Sequence, residues 1–504
     1  MKHLIEISKI VNRKKVRKIE IFDDHSLRHK NSKFNEFFEG LQGSKFKTDR
    51  DAAQQLYGCS PSDPKYRQLK SRFRKRLLNT LFFLDVNIPS ASSYDRAYYS
   101  CNKDWALVKT LLWYDAPHTA AQLARQTLTT ALKFQFADLI LNCARVLRAY
   151  AAENGDERSF ETYDQHIREY SQALEAEIRS EELYQRVILN YHLPASKNTP
   201  LLAKQIQSYC DTLVNLSEQY NCPVIYYNMY LVWVCRYEMQ QDFEAMLEVC
   251  EQGEKYIAQN PVFEQESKLI IFQTKKMSAY LHLRNYRDGR INAEKCLNSF
   301  PENSEAWFTF MEYYFLLAMH TENYINAIAI FNQATDNSKF KKLDNAIQEK
   351  WNIFEGYVNY IIEAEGKNNK VLKMQPQRSF RGSKVLNSQV AYSREYRIFS
   401  VLLLILQILF LLERKAISGI PERIDRLKKY ANRQLRKDEY HRPSQFIRLL
   451  QQLNKADFHP EEMSNTNKYL SSLKKHPFFY RGLVSELEVI PYEKLWERIL
   501  SYFK

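Results

Sequence analysis

The sequence is poor in the residues that make turns. Its 504 residues include only 11 Gly and 15 Pro. That excludes β-sandwiches, barrels and propellers, which need a turn roughly every 8–12 residues. Cysteine is sparse in a different sense: the eight Cys form no C-x-x-C and no close Cys/His pairing, so no zinc site or other metal centre is expected. Asp23-Asp24-His25 with His29 places two imidazoles one helical turn apart, but the segment is short and polar and reads as solvated surface. The phosphate-cradling G-x-x-x-x-G-K-[ST] spacing is missing, as are G-x-G-x-x-G, H-E-x-x-H and G-x-S-x-G. Nucleotide hydrolysis, hydride transfer, zinc proteolysis and the serine-hydrolase elbow therefore have no support, and neither an enzyme nor a cofactor is expected. Met1-Lys2-His3-Leu4-Ile5-Glu6 lacks the apolar core of a secretory signal. The longest charge-free apolar run is Ile398 to Leu412. As a helix it spans about 22 Å, short of the ~30 Å hydrocarbon layer. A buried helix is expected there, with no membrane span and a cytoplasmic setting.

What is present is a globular composition, 45% hydrophobic and 26% charged, with 33 Tyr and 29 Phe. Few breakers and long periodic stretches mean helices, so the expected fold is all-α. The net charge of +14 is unevenly spread. Residues 1–84 carry +11, 85–366 carry −11, 367–442 carry +12 and 443–504 carry +2. Two readings follow: the basic ends fold back on the acidic middle, or a basic segment faces nucleic acid or another acidic partner.

Residues 240–335 carry a repeat. Phe243, Met246, Leu247, Cys250 and Ile257 form one apolar stripe, and Tyr286, Gly289, Ala293, Cys296 and Phe300 a second. Tyr324, Ala327, Ile328, Phe331 and Ala334 form a third, and the lead aromatics lie 43 and then 38 residues apart. Those periods suit helix-turn-helix solenoids. Ser267–Leu283 and Ser304–Met319 are the expected partner helices, with Ser304 as N-cap. Asn285-Tyr286-Arg287-Asp288-Gly289-Arg290, Ala293 to Leu297 and Pro301 to Trp307 resemble the second helix and junction of a tetratricopeptide repeat. The resemblance implies an irregular α-solenoid over 95–365 that binds a protein partner. Gly366, Pro376 and Gly382 among unopposed Lys and Arg mark 366–390 as a basic linker or loop, and 391–504 as a C-terminal helical module.

Residues 1–90 form a basic N-terminal module. Thr48 caps a helix over Asp49–Tyr57, and a long helix, Lys65–Leu84, follows Pro61 and Pro64. Tyr66, Leu69, Phe73, Leu77, Leu81 and Leu84 make its apolar stripe, and Lys65, Arg67, Lys70, Arg72, Arg74, Lys75 and Arg76 line its flanks and back without an acid. Ser71-Arg72-Phe73-Arg74-Lys75-Arg76-Leu77 after a helix and loop resembles the winged-helix DNA-binding domains of response-regulator-type bacterial activators. That resemblance implies nucleic-acid contact by the seven cations. The chain departs from it after Leu84, where Pro89 and a Ser-rich turn replace the wing. Ala52–Leu84, Leu402–Leu412 with Arg423–Lys437, and Ile490–Glu497 are similar to a family of uncharacterised bacterial helical proteins, which implies one inherited unit and supplies no activity to carry over. Aromatics cluster at 226–233 and 307–315, and Tyr226, Tyr230, Trp307 and Tyr314 are the rings expected to be exposed for a protein partner. Two functions follow: a non-enzymatic interaction scaffold, or a DNA-binding regulator with the solenoid as its sensor.

Overall fold

The protein is described from a computed structural model. It describes residue 4, residues 32–43, 45–46, 48–81, 92–191, 199–300, 304–366, 369–373, 396–435 and 440–503. The pair Asp23-Asp24-His25 and His29, Pro89 and most of the 366–390 segment lie outside the described residues. Among the described residues the chain is all-α, with no strand. It divides into two compact units, 1–170 and 171–504.

In the first unit, α1 (Lys33–Gln42), α2 (Asp49–Tyr57) and α3 (Pro64–Thr80) enclose a small aromatic core. Local chemistry fixes their ends. Ser32 accepts from the Asn35 amide; Thr48 and Asp51 form a reciprocal capping box; Asp63 accepts from the Lys65 amide with Pro64 at the first helical position. Such caps contribute about 1 kcal/mol each. Phe73 centres the core, with the rings of Phe34 and Phe37 at 4.8 and 4.9 Å. Gly40 is demanded by close approach, since a Cβ there would lie 2.0 Å from the Phe46 ring. The stripe on α3 is as expected at Tyr66, Phe73 and Leu77, which are buried, and Leu69 and Leu81, which are half-buried; Leu84 lies outside the described residues. Next come α4 (Ser93–Trp113), α5 (Pro117–Phe134) and α6 (Ala137–Glu153), packed consecutively around Ala120, Ala124, Leu128 and Cys143. The Tyr99 hydroxyl donates to the Leu81 carbonyl at 2.9 Å, tying α4 to the end of α3. The 35-residue helix α7 (Glu157–Tyr191) contains the boundary between the units.

The second unit continues in hairpins: α8 (Pro200–Gln219), α9 (Pro223–Gln240), α10 (Phe243–Gln259), α11 (Glu266–Leu283), α12 (Tyr286–Cys296), α13 (Glu305–His320), α14 (Tyr324–Thr335) and α15 (Asn345–Glu365). Each packs on its sequence neighbour, as in a solenoid. The repeat period has a turn signature. Gln241, Arg284 and Glu322 each take a left-handed conformation, with φ of 61°, 53° and 59°. Asp or Asn follows each one, and Asp242 and Asn285 then cap the next helix. Ser304 caps α13 by accepting from the Trp307 amide. Gly289 is forced by packing, because a Cβ would lie 2.4 Å from a Leu317 methyl.

Apart from the single turn Lys370–Lys373, the remaining α-helices among the described residues are α16 (Arg397–Glu413), α17 (Ile420–Gln434), α18 (His441–Lys455), α19 (Thr466–Lys475) and α20 (Tyr492–Ser501). Their apolar residues share one continuous cluster with α11–α15. The apolar helix α16 is buried on nearly every side, Ser400 and Gln407 included. Among the described residues no helix is long and apolar enough to cross a membrane. Between α19 and α20 the chain runs without a regular helix longer than three residues, and lies against α11 and α13.

Candidate functional site

Helix α3 keeps its cations in the open. Lys65, Arg67, Arg72, Arg74 and Lys75 are exposed, and among the described residues no carboxylate lies within ion-pair distance of any of them. Lys70 and Arg76 are half-buried and engaged: the Lys70 ammonium meets Asp49 at 2.6 Å, and the Arg76 guanidinium lies 5.6 Å from the Phe34 ring centre. Burial works to raise the Asp49 carboxyl, but the hydrogen bonds from Lys70 and Tyr66 outweigh it and hold it below the ordinary carboxylate value. Asp49 thus stays charged and fixes Lys70 in place.

The stripe turned inward leaves the basic residues on two sides of the helix, and a cleft opens on each. One, of about 1060 Å³, is lined by Arg67, Lys70 and Arg74 with Ser62 and Ser71. The other, of about 790 Å³, is lined by Lys65, Arg72, Lys75 and Arg76 with Asn79. Gln68 belongs to both. On the exposed back, Gln68, Arg72, Lys75 and Asn79 succeed one another by four, three and four residues, a single row on a helix. Cations flanking a row of amide and guanidinium groups combine a phosphate-binding surface with side chains able to reach base edges.

The charge blocks therefore resolve differently at the two ends of the sequence. Toward the C-terminus, basic residues do meet the acidic middle: Arg414 pairs with Glu363, Arg498 with Glu365 and Lys494 with Glu322. On α3 the only carboxylate partner among the described residues is Asp49, from the same small core.

The nominated aromatics fare otherwise. Trp307 and Tyr314 are each only 8% exposed, so their expected role as exposed contacts is corrected. Both belong to the large core, where Trp307 meets Phe308 edge-on and Tyr314 stacks on Tyr286. Tyr226 and Tyr230 are half-buried and gather around Tyr256, at 4.8 and 5.9 Å between ring centres. What the four rings share is intramolecular packing, which at helical spacing is the commoner use of an aromatic.

A third cleft went unnoticed in the sequence. It lies between α4 and α6, holds about 870 Å³, and is lined by Trp105, Lys109, Leu112 and Trp113 on one wall and by Asn142, Arg145, Val146 and Tyr150 on the other. Trp113 is 86% exposed and the adjoining Tyr114 76%. Leu111-Leu112-Trp113-Tyr114 continues the apolar pattern of α4, so nothing local separates these rings from core; only the lack of a covering helix among the described residues does.

Thiol chemistry has no foothold in the buried cysteines. Burial pushes Cys101 up to about 11 and Cys143, Cys210 and Cys235 up to about 12, so they stay protonated and inert. Among the described residues no group of three His, Cys, Asp or Glu is placed to hold a metal ion.

No protein-family model, curated protein or solved structure matches this chain. Function must be argued from these surfaces.

Proposed function

We propose that the protein binds rather than catalyses: it is a helical-repeat adaptor that engages duplex nucleic acid through α3 and a protein partner through a second surface. One observation carries the nucleic-acid half. Five of the seven α3 cations are exposed and, among the described residues, have no carboxylate within ion-pair distance, on a helix without an acid and between two clefts. A helix of this kind fits the major groove, which is about 12 Å wide. In that placement Arg67 and Arg74 on one flank and Lys65 on the other reach phosphates, and the Gln68–Asn79 row faces the bases. The order of a winged-helix-like module before tetratricopeptide-like hairpins agrees with a regulator whose repeats sense a partner. The cytoplasm, which keeps eight free thiols reduced, is the setting that suits it.

The test is a fluorescence-anisotropy titration of a labelled 30-base-pair duplex with the full chain at several salt concentrations. With three phosphate contacts, log affinity should fall with log salt at a slope of about −3. Arg72→Ala with Arg74→Ala should weaken binding about tenfold or more, flatten the slope by about 1 through the lost Arg74 contact, and relax sequence preference through the lost Arg72 contact. Binding that ignores salt, or that survives both substitutions, would sink the nucleic-acid half.

The protein-partner half is favoured by a separate observation: Leu112, Trp113 and Tyr114 are all exposed in succession at the mouth of a walled cleft.

A further inference from the structure

Three consecutive large hydrophobic residues are exposed at the end of α4, and the cleft beside them carries charge in a definite order. Short connections reverse the chain between α4 and α5 and again between α5 and α6, so α4 and α6 run parallel. They touch one another directly. Going along both helices, Lys109 and Arg145 come before Asp115 and Glu153. The cleft is therefore cationic toward the N-terminal ends of its two helices and acidic toward the other end.

Lys109 and Arg145 are exposed, and among the described residues neither has a carboxylate within ion-pair distance. Lys109 instead lies 5.8 Å from the Trp105 ring centre. The third cation of the cleft, Arg148, is satisfied internally by Asp164. The middle of the cleft is aromatic. Tyr150 is held there by its hydroxyl, 2.9 Å from His118 Nδ1, and by the Arg125 guanidinium 5.6 Å from its ring centre. Its ring is thus already oriented before anything binds, which lowers the ordering cost of a ligand.

We propose that this cleft binds an extended acidic peptide of a partner protein, with carboxylates on Lys109 and Arg145 and an aromatic or large aliphatic side chain between Trp113 and Tyr150. The inference rests on the protein-partner half of the reading above and assigns its site and chemistry. The second unit supplies a working example of the mode. Phe478-Phe479-Tyr480-Arg481 lies on α11 and α13 with its rings against His282, His320 and Tyr313. There the chain itself is the extended ligand. In the α4–α6 cleft no described segment plays that part, and at its cationic end Lys109 and Arg145, without a carboxylate partner among the described residues, favour carboxylates on the occupant, while Asp115 and Glu153 bound the acidic end.

A library of random 12-residue peptides displayed on phage, selected on the purified full chain, tests this. Enriched sequences would be resynthesised with a fluorescent label and titrated by anisotropy. The expected set combines Asp or Glu with Trp, Phe, Tyr or Leu. Trp113→Ala and Arg145→Glu, both exposed and so not needed for folding, should each weaken binding tenfold or more, while Arg72→Ala with Arg74→Ala leaves it unchanged. If peptides are enriched but bind those two cleft variants as well as the wild type, this site falls and the partner reading stands. If none is enriched, both fall. Enrichment of basic sequences, or displacement of the peptide by a labelled oligothymidine that itself requires Trp113, would also overturn the assignment.

Discussion

The α4–α6 cleft and the shared face of α11 and α13 are made in the same way, from first helices of consecutive hairpins, yet one is open and the other is filled. The face of α11 and α13 is covered by the 476–491 segment. His282 Nε2 accepts from the Tyr480 amide at 2.9 Å, His320 Nε2 donates to the Glu488 carbonyl at 2.7 Å, and the Tyr480 hydroxyl donates to Glu312. Arg481 is buried and donates to the Tyr191 carbonyl at 2.8 Å and to Glu486 at 2.6 Å. Covered in this way, the aromatics of that face become core. In the α4–α6 cleft the rings meet solvent. The lesson is that an aromatic on the face of a repeat hairpin has no fixed role; what lies across it decides whether it is structure or interface.

The largest effect should come from uncovering the filled face. Tyr480 is fully buried, and its hydroxyl helps satisfy Glu312, which also receives Lys350 at 2.7 Å. Tyr480→Ala removes a ring from a packed site and one hydrogen bond from a buried carboxylate. Chemical denaturation should show a loss of about 3–5 kcal/mol. A loss under about 1 kcal/mol would mean that the segment is a loosely held cover, and the contrast between the two faces would collapse.

A smaller, pH-dependent effect probes the same cover. Burial lowers His282 to about 4 and His320 to about 3, against an ordinary value of 6.5, while their hydrogen bonds to backbone carbonyls act the other way. The geometry agrees with the neutral ring: Nε2 of His282 must be unprotonated to accept from the Tyr480 amide, leaving its Nδ1–H for the Ser278 carbonyl. Below pH 6.5 the unfolded chain takes up protons that the folded rings refuse, so stability is present above 6.5 and is lost as pH falls toward 4. Each ring contributes roughly 1.4 kcal/mol per pH unit within that window. Glu486 and Glu488, raised by burial, work in the opposite sense. The readout is therefore the difference in slope: between pH 6.5 and 5 the unfolding free energy of His282→Asn should fall less steeply than that of the wild type. Equal slopes would show that His282 is not held neutral.

Local chemistry was legible from the sequence, and distant covering was not. Thr48 and Ser304 announce helix starts because a cap acts within three residues. The apolar stripe of α3 placed its cations on the flanks and back of the helix, since that follows from helical period alone, but not that Lys70 and Arg76 would be half-buried and engaged. The burial of α16 followed from its length. By contrast, Trp307 and Tyr314 read as exposed contacts and are core, in a cluster that includes residues more than 150 positions further on. Gly289 occupies its place in the second stripe for a reason visible only in three dimensions, its approach to Leu317. The cleft at Trp113 was hidden because an apolar helix end looks the same whether or not a neighbour covers it. Likewise, the charge blocks in sequence could not say which basic residues would be neutralised: Arg414 reaches Glu363, while among the described residues Arg72 reaches no carboxylate.

The smallest expected effect is on the open face, and it is the one that separates interface from structure. Trp113 is 86% exposed, so Trp113→Ala should change the unfolding free energy by no more than about 0.5 kcal/mol. An indole that adds so little to the stability of the free chain, yet lines one wall of a cleft beside Lys109 and Arg145, neither of which has a carboxylate partner among the described residues, leaves its area available for a partner to bury. A stability loss above about 2 kcal/mol would place Trp113 with Tyr480 as core, and the open face would then be a second filled one.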